Sequence, residues 1–162
     1  MGLQHNFLLL DCDGDGEWEL SRFYHDPRAV HLHDDLVRYM GDTLEWIPTV
    51  NPARQEPHRG LCMWGPTLIV VEGAEVAERV FGLWAELFAV GPPVLTLTGN
   101  YSWVEPDDDP TQSTVRFTQL EGGYDRLEFD RDEVVGVLRQ VAAWCGQVRL
   151  GGGRLYLNHF GV

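Results

Sequence analysis

The sequence contains no lysine, and this absence limits the chemistry that the protein can perform. All 12 of its basic residues are arginines, against 25 acidic residues. Without lysine the chain cannot form a Schiff base or clamp a phosphate with an ammonium group. The net charge of −13 repels phosphate backbones and anionic membranes, so it disfavours binding to nucleic acids or to membranes. We therefore expect the partner to be a basic protein.

Cysteines are few, and long apolar runs are missing. The three cysteines (Cys12, Cys62 and Cys145) lie far apart without a CxxC pair, which argues against a disulfide framework and a structural zinc site. No apolar stretch approaches the length of a membrane span. The N-terminus also lacks the basic region of a signal peptide. These features predict a cytoplasmic protein with reduced, mostly buried thiols.

The order of apolar and polar residues predicts helices and strands within one domain, residues 1–162. Helical spacing predicts three helices: one from Asp26 to Gly41, one over 74–89, and one capped by Asp130 and Glu133. Alternating or β-branched apolar residues predict the strands, which cover residues 6–11, 17–23, 67–71, 94–104, 114–120, 124–129 and 154–160.

Two further segments predict connections between these elements. Residues 48–60 contain three prolines and predict an exposed loop. Gly122 and Gly123 predict the tight turn of a hairpin. Because the strands follow one another in pairs, the expected fold is α+β. We expect a mostly antiparallel or mixed sheet of about six strands with three main helices packed on it.

The stretch DCDGDGEWEL, which begins at Asp11, places three aspartates at alternate positions. Hard cations take about six to eight oxygen ligands, and a short loop supplies them by projecting carboxylates at such positions. The stretch resembles the calcium loop of FG-GAP repeats, which connects two strands. This local resemblance implies side-chain ligands from Asp11, Asp13, Asp15 and Glu19, with a carbonyl ligand from Glu17. It implies a bound Ca²⁺ ion. Because the sequence contains no internal repeat, the resemblance does not extend to the repeated fold of that family.

Two other interpretations of the stretch stay open. A strand followed by Asp-x-Asp-Gly also resembles the first motif of haloacid-dehalogenase-type phosphatases. That resemblance implies Asp11 as the nucleophile, Asp13 as the general acid and base, and Mg²⁺ on the phosphate. Thr98 would then belong to the second motif, and Arg116 would replace the lysine of the family. The third interpretation is a metal-free polar turn, because Asp-Gly between apolar runs is typical of hairpins.

The segment HLHDD, residues 31–35, also contains residue types that bind metals. On a helix, His31 and Asp35 would lie one turn apart and share a side. Two ligands do not form a metal site, so the segment predicts a solvated helix face.

A partner surface is predicted beside Trp103, where the acidic segment EPDDDP follows. An aromatic side chain next to carboxylates can anchor a basic protein, and the residues of this surface are Trp103, Asp107, Asp108 and Asp109. The alternative is a hairpin tip that the aspartates keep soluble.

The sequence contains no assembled catalytic constellation, so it favours a binding protein over an enzyme. We expect a small acidic protein of the immunity type, a class that neutralises toxins by charge-complementary docking. The alternatives are a metal-dependent phosphohydrolase that uses Asp11 and Asp13, and a calcium-stabilised module without catalysis.

Overall fold

The computed structural model describes residues 4–12, 26–104 and 121–161. Its strands are β1 (Gln4–Asp11), β2 (Val30–His33), β3 (Pro48–Asn51), β4 (Glu56–Arg59), β5 (Gly65–Ile69), β6 (Val94–Val104), β7 (Glu121–Asp130) and β8 (Leu155–Gly161). Its helices are α1 (Asp34–Tyr39), α2 (Gly41–Leu44), α3 (Val71–Ala89) and α4 (Arg131–Leu150).

Six of the strands form one antiparallel sheet in the order β2-β1-β8-β5-β3-β4. β6 and β7 form a second, two-stranded antiparallel sheet. β1 and β8 lie near the centre of the large sheet, in a register that runs from His5 opposite Gly161 to Asp11 opposite Leu155. The first and last described segments of the chain are therefore paired with each other inside the sheet.

The two long helices, α3 and α4, pack against each other and cover one face of the large sheet. Phe7 of β1 meets Phe81 of α3 edge to face, with ring centroids 5.7 Å apart. Leu138 of α4 and Leu157 of β8 are fully buried in the same core. The structure thus confirms the predicted α+β fold with helices packed on an antiparallel sheet. Among the helices of the described ranges, none is long and apolar enough to cross a membrane.

The start of α4 confirms the predicted N-cap at Asp130, whereas the first helix begins later than predicted. The Asp130 side chain accepts a hydrogen bond from the backbone N–H of Glu133. The helix predicted from Asp26 begins only at Asp34, because residues 30–33 pair with β1 as strand β2. Asp26 instead binds the side chain of Arg28, so its carboxylate serves a local turn and not a helix N-terminus.

Two predicted connections are strands in the structure. Residues 48–60 contain β3 and β4, which pair with each other despite the prolines. Pro57 lies in β4, at the edge of the sheet, where a missing N–H costs least. Gly122 and Gly123 lie within β7, opposite Trp103 and Ser102 of β6. The predicted strands 17–23 and 114–120 lie outside the described residues.

Two glycines of α3 provide a matched test of how closely this helix packs on the sheet. A Cβ atom at Gly73 would collide with the backbone carbonyl of Pro48, whereas a Cβ at Gly82 meets no atom within 4 Å. We predict that Gly73→Ala lowers the free energy of unfolding by about 2 kcal/mol or more, because the helix must move away from β3. Gly82→Ala should raise it by about 0.5–1 kcal/mol through helix propensity. Urea unfolding measures both values, and equal effects would contradict the packing argument.

Candidate functional site

The aspartate stretch is described only at its first residues. Four of the predicted ligands lie outside the described residues: Asp13, Asp15, Glu17 and Glu19. Asp11 ends β1, and its Oδ2 atom lies 2.9 Å from both Nε and Nη2 of Arg154. The Asp11 carboxylate raises the pKa of the Arg154 guanidinium. Any cation that takes Asp11 as a ligand must therefore compete with an arginine that already holds it.

The ion pair between Asp11 and Arg154 adds a test of the metal hypotheses. The calcium-loop hypothesis predicts that Ca²⁺ raises the melting temperature of chelator-treated protein, because an ion that binds only the folded state stabilises it. Asp13→Ala should abolish this rise, and Arg154→Gln should enlarge it by releasing Asp11. The phosphatase hypothesis predicts a rise selective for Mg²⁺, with phosphoester hydrolysis that Asp11→Asn abolishes. If neither ion moves the melting temperature, the polar turn is the remaining interpretation.

The predicted partner surface is also described only in part. The backbone of Trp103 lies in β6, opposite Gly122 of β7. Three of its residues lie outside the described residues: Asp107, Asp108 and Asp109. This surface therefore stays a prediction.

The segment HLHDD does not form one solvated helix face. His31 belongs to β2, where its Nδ1 atom is hydrogen-bonded to the side chain of Asn6, whereas Asp35 belongs to α1. Within the described ranges, no group of three or more His, Cys, Asp or Glu residues is placed to hold a metal ion.

A buried chain of hydrogen bonds, not anticipated from the sequence, links β8, β1 and α1. The His159 Nε2 atom lies 2.7 Å from His5 Nδ1, and His5 Nε2 lies 3.1 Å from Asp34 Oδ1. The other oxygen of Asp34 binds Arg38 Nε at 2.9 Å. Both histidines are fully buried between the sheet and the helices, and the ring of Phe7 lies tilted against His159 with centroids 5.0 Å apart.

The partners of the two histidines determine which nitrogen carries the proton. The Asp34 carboxylate accepts, so His5 must donate from Nε2 and accept at Nδ1. His159 must then donate from Nε2, which leaves its Nδ1 atom as a bare acceptor. In the described part of the chain this Nδ1 atom has no hydrogen-bond partner, and neither has the buried side-chain amide of Asn158. A second proton on His159 would therefore point into the core without an acceptor.

The physical setting keeps both histidines neutral. Burial lowers the pKa of His159 well below its ordinary value, and the neighbouring His5 lowers it further. Burial also lowers the pKa of His5, although the hydrogen bond to Asp34 opposes this shift. Because both imidazoles are fully buried, a substrate cannot reach them, and their role is structural. They stabilise the fold only while they stay uncharged, because a buried charge without a partner costs free energy.

The histidine pair predicts that the protein becomes less stable in acid. An unfolded histidine has a pKa of about 6.5, and both folded values are lower. Below that pH the unfolded chain binds more protons, so stability that is fully present above about pH 6.5 is lost as pH falls towards the folded values. The loss should approach about 1.4 kcal/mol per pH unit for His159, whose pKa is lowered well below its ordinary value.

Urea unfolding between about pH 7 and pH 5 measures this slope. His159→Leu and His159→Gln should each make it shallower, whatever they do to stability at neutral pH. His58→Gln on the exposed strand β4 is the control and should leave the slope unchanged. A slope that does not differ between these variants would contradict the assignment.

A cleft of about 220 Å³ lies where β2, the end of β7 and the start of α4 meet. Two of its polar side chains cap helices: His33 Nδ1 accepts a hydrogen bond from Asp35 N–H at the start of α1, and Asp130 caps α4. His33 also contacts the ring of Phe129, with centroids 5.5 Å apart. These groups therefore have structural roles in the described protein.

A groove of about 200 Å³ lies between α2, the residues that follow it, and α3. Its lining is almost entirely apolar, and its residues are Thr43, Trp46, Val80, Leu83, Trp84 and Leu87. Trp46 and Leu83 are each 61 % exposed and Leu87 is 57 % exposed, which is unusual for large apolar side chains that share one surface. The helical spacing of the apolar residues in 74–89 would by itself place this side of α3 in the core, whereas the structure leaves Leu83 and Leu87 exposed.

The walls of the groove are held in place by hydrogen bonds and ring contacts. The indole N–H of Trp84 donates to Thr43 Oγ1 at 2.7 Å, and the Thr43 hydroxyl donates to the Met40 carbonyl at 2.8 Å. The Trp84 ring also contacts Phe88, with centroids 5.3 Å apart. The groove is therefore formed before any ligand arrives.

No family model, curated protein or solved structure matches this chain. A function is therefore proposed from the geometry and charge of the described residues.

Proposed function

We propose that the chain is a small cytoplasmic binding protein that docks a basic protein partner through charge complementarity, as immunity-type inhibitors dock their toxins. The observation that carries this proposal is the distribution of ion pairs over the described surface. The net charge of −13 alone gives the sign of the field. The ion pairs indicate how much of that charge is available to a partner.

The arginines are largely used within the chain. Six of those in the described ranges each bind a carboxylate, in the pairs Arg28–Asp26, Arg38–Asp34, Arg126–Glu128, Arg131–Asp132, Arg149–Glu78 and Arg154–Asp11. In the same ranges, the exposed carboxylates without an ion-pair partner include Asp42, Glu45, Glu56, Glu72, Glu75, Glu86 and Glu133.

The uncompensated carboxylates favour a basic partner because a field of one sign accelerates the approach of the opposite charge. Exposed ion pairs contribute little stability of their own, so their arginines chiefly neutralise the carboxylates that they bind. We assign Asp107, Asp108 and Asp109, beside Trp103, to the same docking function.

The association rate with a basic protein tests this function. We predict that, in a panel of folded basic proteins of similar size and charge, a cognate partner binds selectively at about 150 mM salt. Its association rate should fall about tenfold or more between about 20 mM and that salt concentration. Asp107→Asn, Asp108→Asn and Asp109→Asn together should slow association and leave dissociation nearly unchanged. Stopped-flow mixing resolves the two rates.

A second triple variant with the same loss of charge provides the control: Glu56→Gln, Asp132→Asn and Glu133→Gln. It should slow association less, because these exposed residues lie outside the acidic segment that is proposed to dock the partner. Equal, weak binding to every basic protein, lost at about 150 mM salt, would contradict a specific binding function.

A further inference from the structure

The groove between α2 and α3 exposes apolar area that the described elements of the fold leave uncovered. Single exposed apolar side chains are common, but Trp46, Leu83 and Leu87 are each more than half exposed and line the same groove. The buried base of the groove is Val80, which belongs to the core. The groove is therefore an open continuation of the core and not a collection of isolated residues.

The spacing of the groove residues defines the shape of an occupant. Val80, Leu83, Trp84 and Leu87 occupy positions i, i+3, i+4 and i+7 of α3, so they form a ridge along one side of that helix. Trp46, which follows α2 in the sequence, lines the opposite wall of the groove. A helix with apolar residues at the same spacing packs into such a groove, as in other helix-in-groove complexes.

The charged residues around the groove define the chemistry of the occupant. Asp42 and Glu45 belong to the α2 wall, and Glu86 lies between Leu83 and Leu87 in the sequence of α3. Arg79 is the one basic residue within α2 and α3. A second copy of this chain would bring the same negative charge to the same place, so self-association is opposed by repulsion. A partner with basic residues beside its apolar face is attracted.

We propose that the groove between α2 and α3 binds an amphipathic helix with basic flanks on the partner protein. The preformed walls reduce the ordering that binding requires, because Trp84 is already held by Thr43. The apolar groove supplies contacts that slow dissociation, and the surrounding carboxylates orient the approaching helix. This proposal rests on the function proposed above and locates one of its contact surfaces.

Three synthetic peptides test the proposal, each about 18 residues long and so able to span the groove as a helix. The probe carries leucine at helical spacing and arginine elsewhere. The second peptide has the same composition in an order that does not place leucine on one face. The third keeps the leucine pattern but has glutamate instead of arginine. Fluorescence anisotropy of the labelled peptides measures affinity, and we expect only the first to bind well at about 150 mM salt.

Variants of the protein identify the binding surface. Leu83→Ser and Leu87→Ser should each weaken binding of the first peptide about tenfold, a loss of about 1.4 kcal/mol. Leu150→Ser is the matched control, since Leu150 is 76 % exposed at the end of α4 and does not line the groove. Because all three leucines are exposed, the variants should keep the fold, which far-ultraviolet circular dichroism checks.

Each contrary outcome overturns a different statement. Equal affinities of Leu83→Ser and Leu150→Ser for the first peptide would overturn the groove proposal, and salt-dependent binding that persists in both would leave the charge-docking function intact. Equal binding of the shuffled peptide would overturn a helical occupant, and equal binding of the glutamate peptide would overturn a basic one. Self-association in sedimentation that Leu83→Ser abolishes would assign the groove to a second copy of the chain.

Discussion

The pairing of β1 with β8 is the contact on which the rest of the fold depends. These strands come from opposite ends of the described chain, and the histidines that join them are 154 residues apart in sequence. β2 adds to the outer side of β1, and β5 adds to the outer side of β8. Both long helices pack on the face that this pair helps to form. Because so distant a contact must close before its neighbours gain stability from it, we expect slow folding for a chain of this length.

The same pairing explains why polar groups are buried in the middle of the protein. His5 and His159 lie diagonally across the two strands and stack with ring centroids 5.0 Å apart. Asp34 links this pair to Arg38, whose guanidinium reaches the surface. Such a chain satisfies polar atoms that would otherwise be costly to bury, and it holds α1 against the sheet. Its chemistry is therefore that of a structural network whose strength depends on pH.

Sequence reasoning succeeded where local signals and tertiary packing agreed. The cap at Asp130 and the helical spacing of apolar residues in α3 were both visible in sequence, because a helix of about 20 residues repeats its pattern several times. β2 and β4 have four residues each, too few to show a period of two. His5 alternates with Phe7 and Leu9 and so could have been placed on the buried face. Its bond to His159 could not, because no local pattern specifies a contact between chain ends.

The negative charge and the apolar groove have opposite effects on self-association. An exposed groove lined by Trp46, Leu83 and Leu87 favours self-association, which would occupy the proposed binding surface. A charge of −13 opposes the approach of a second copy while it attracts a basic partner. In the proposed function, the charge favours a basic occupant before contact is made, and the groove then stabilises the complex by burying apolar area. For this reason the carboxylates of α2 and α3 and the apolar residues between them are best understood as one surface.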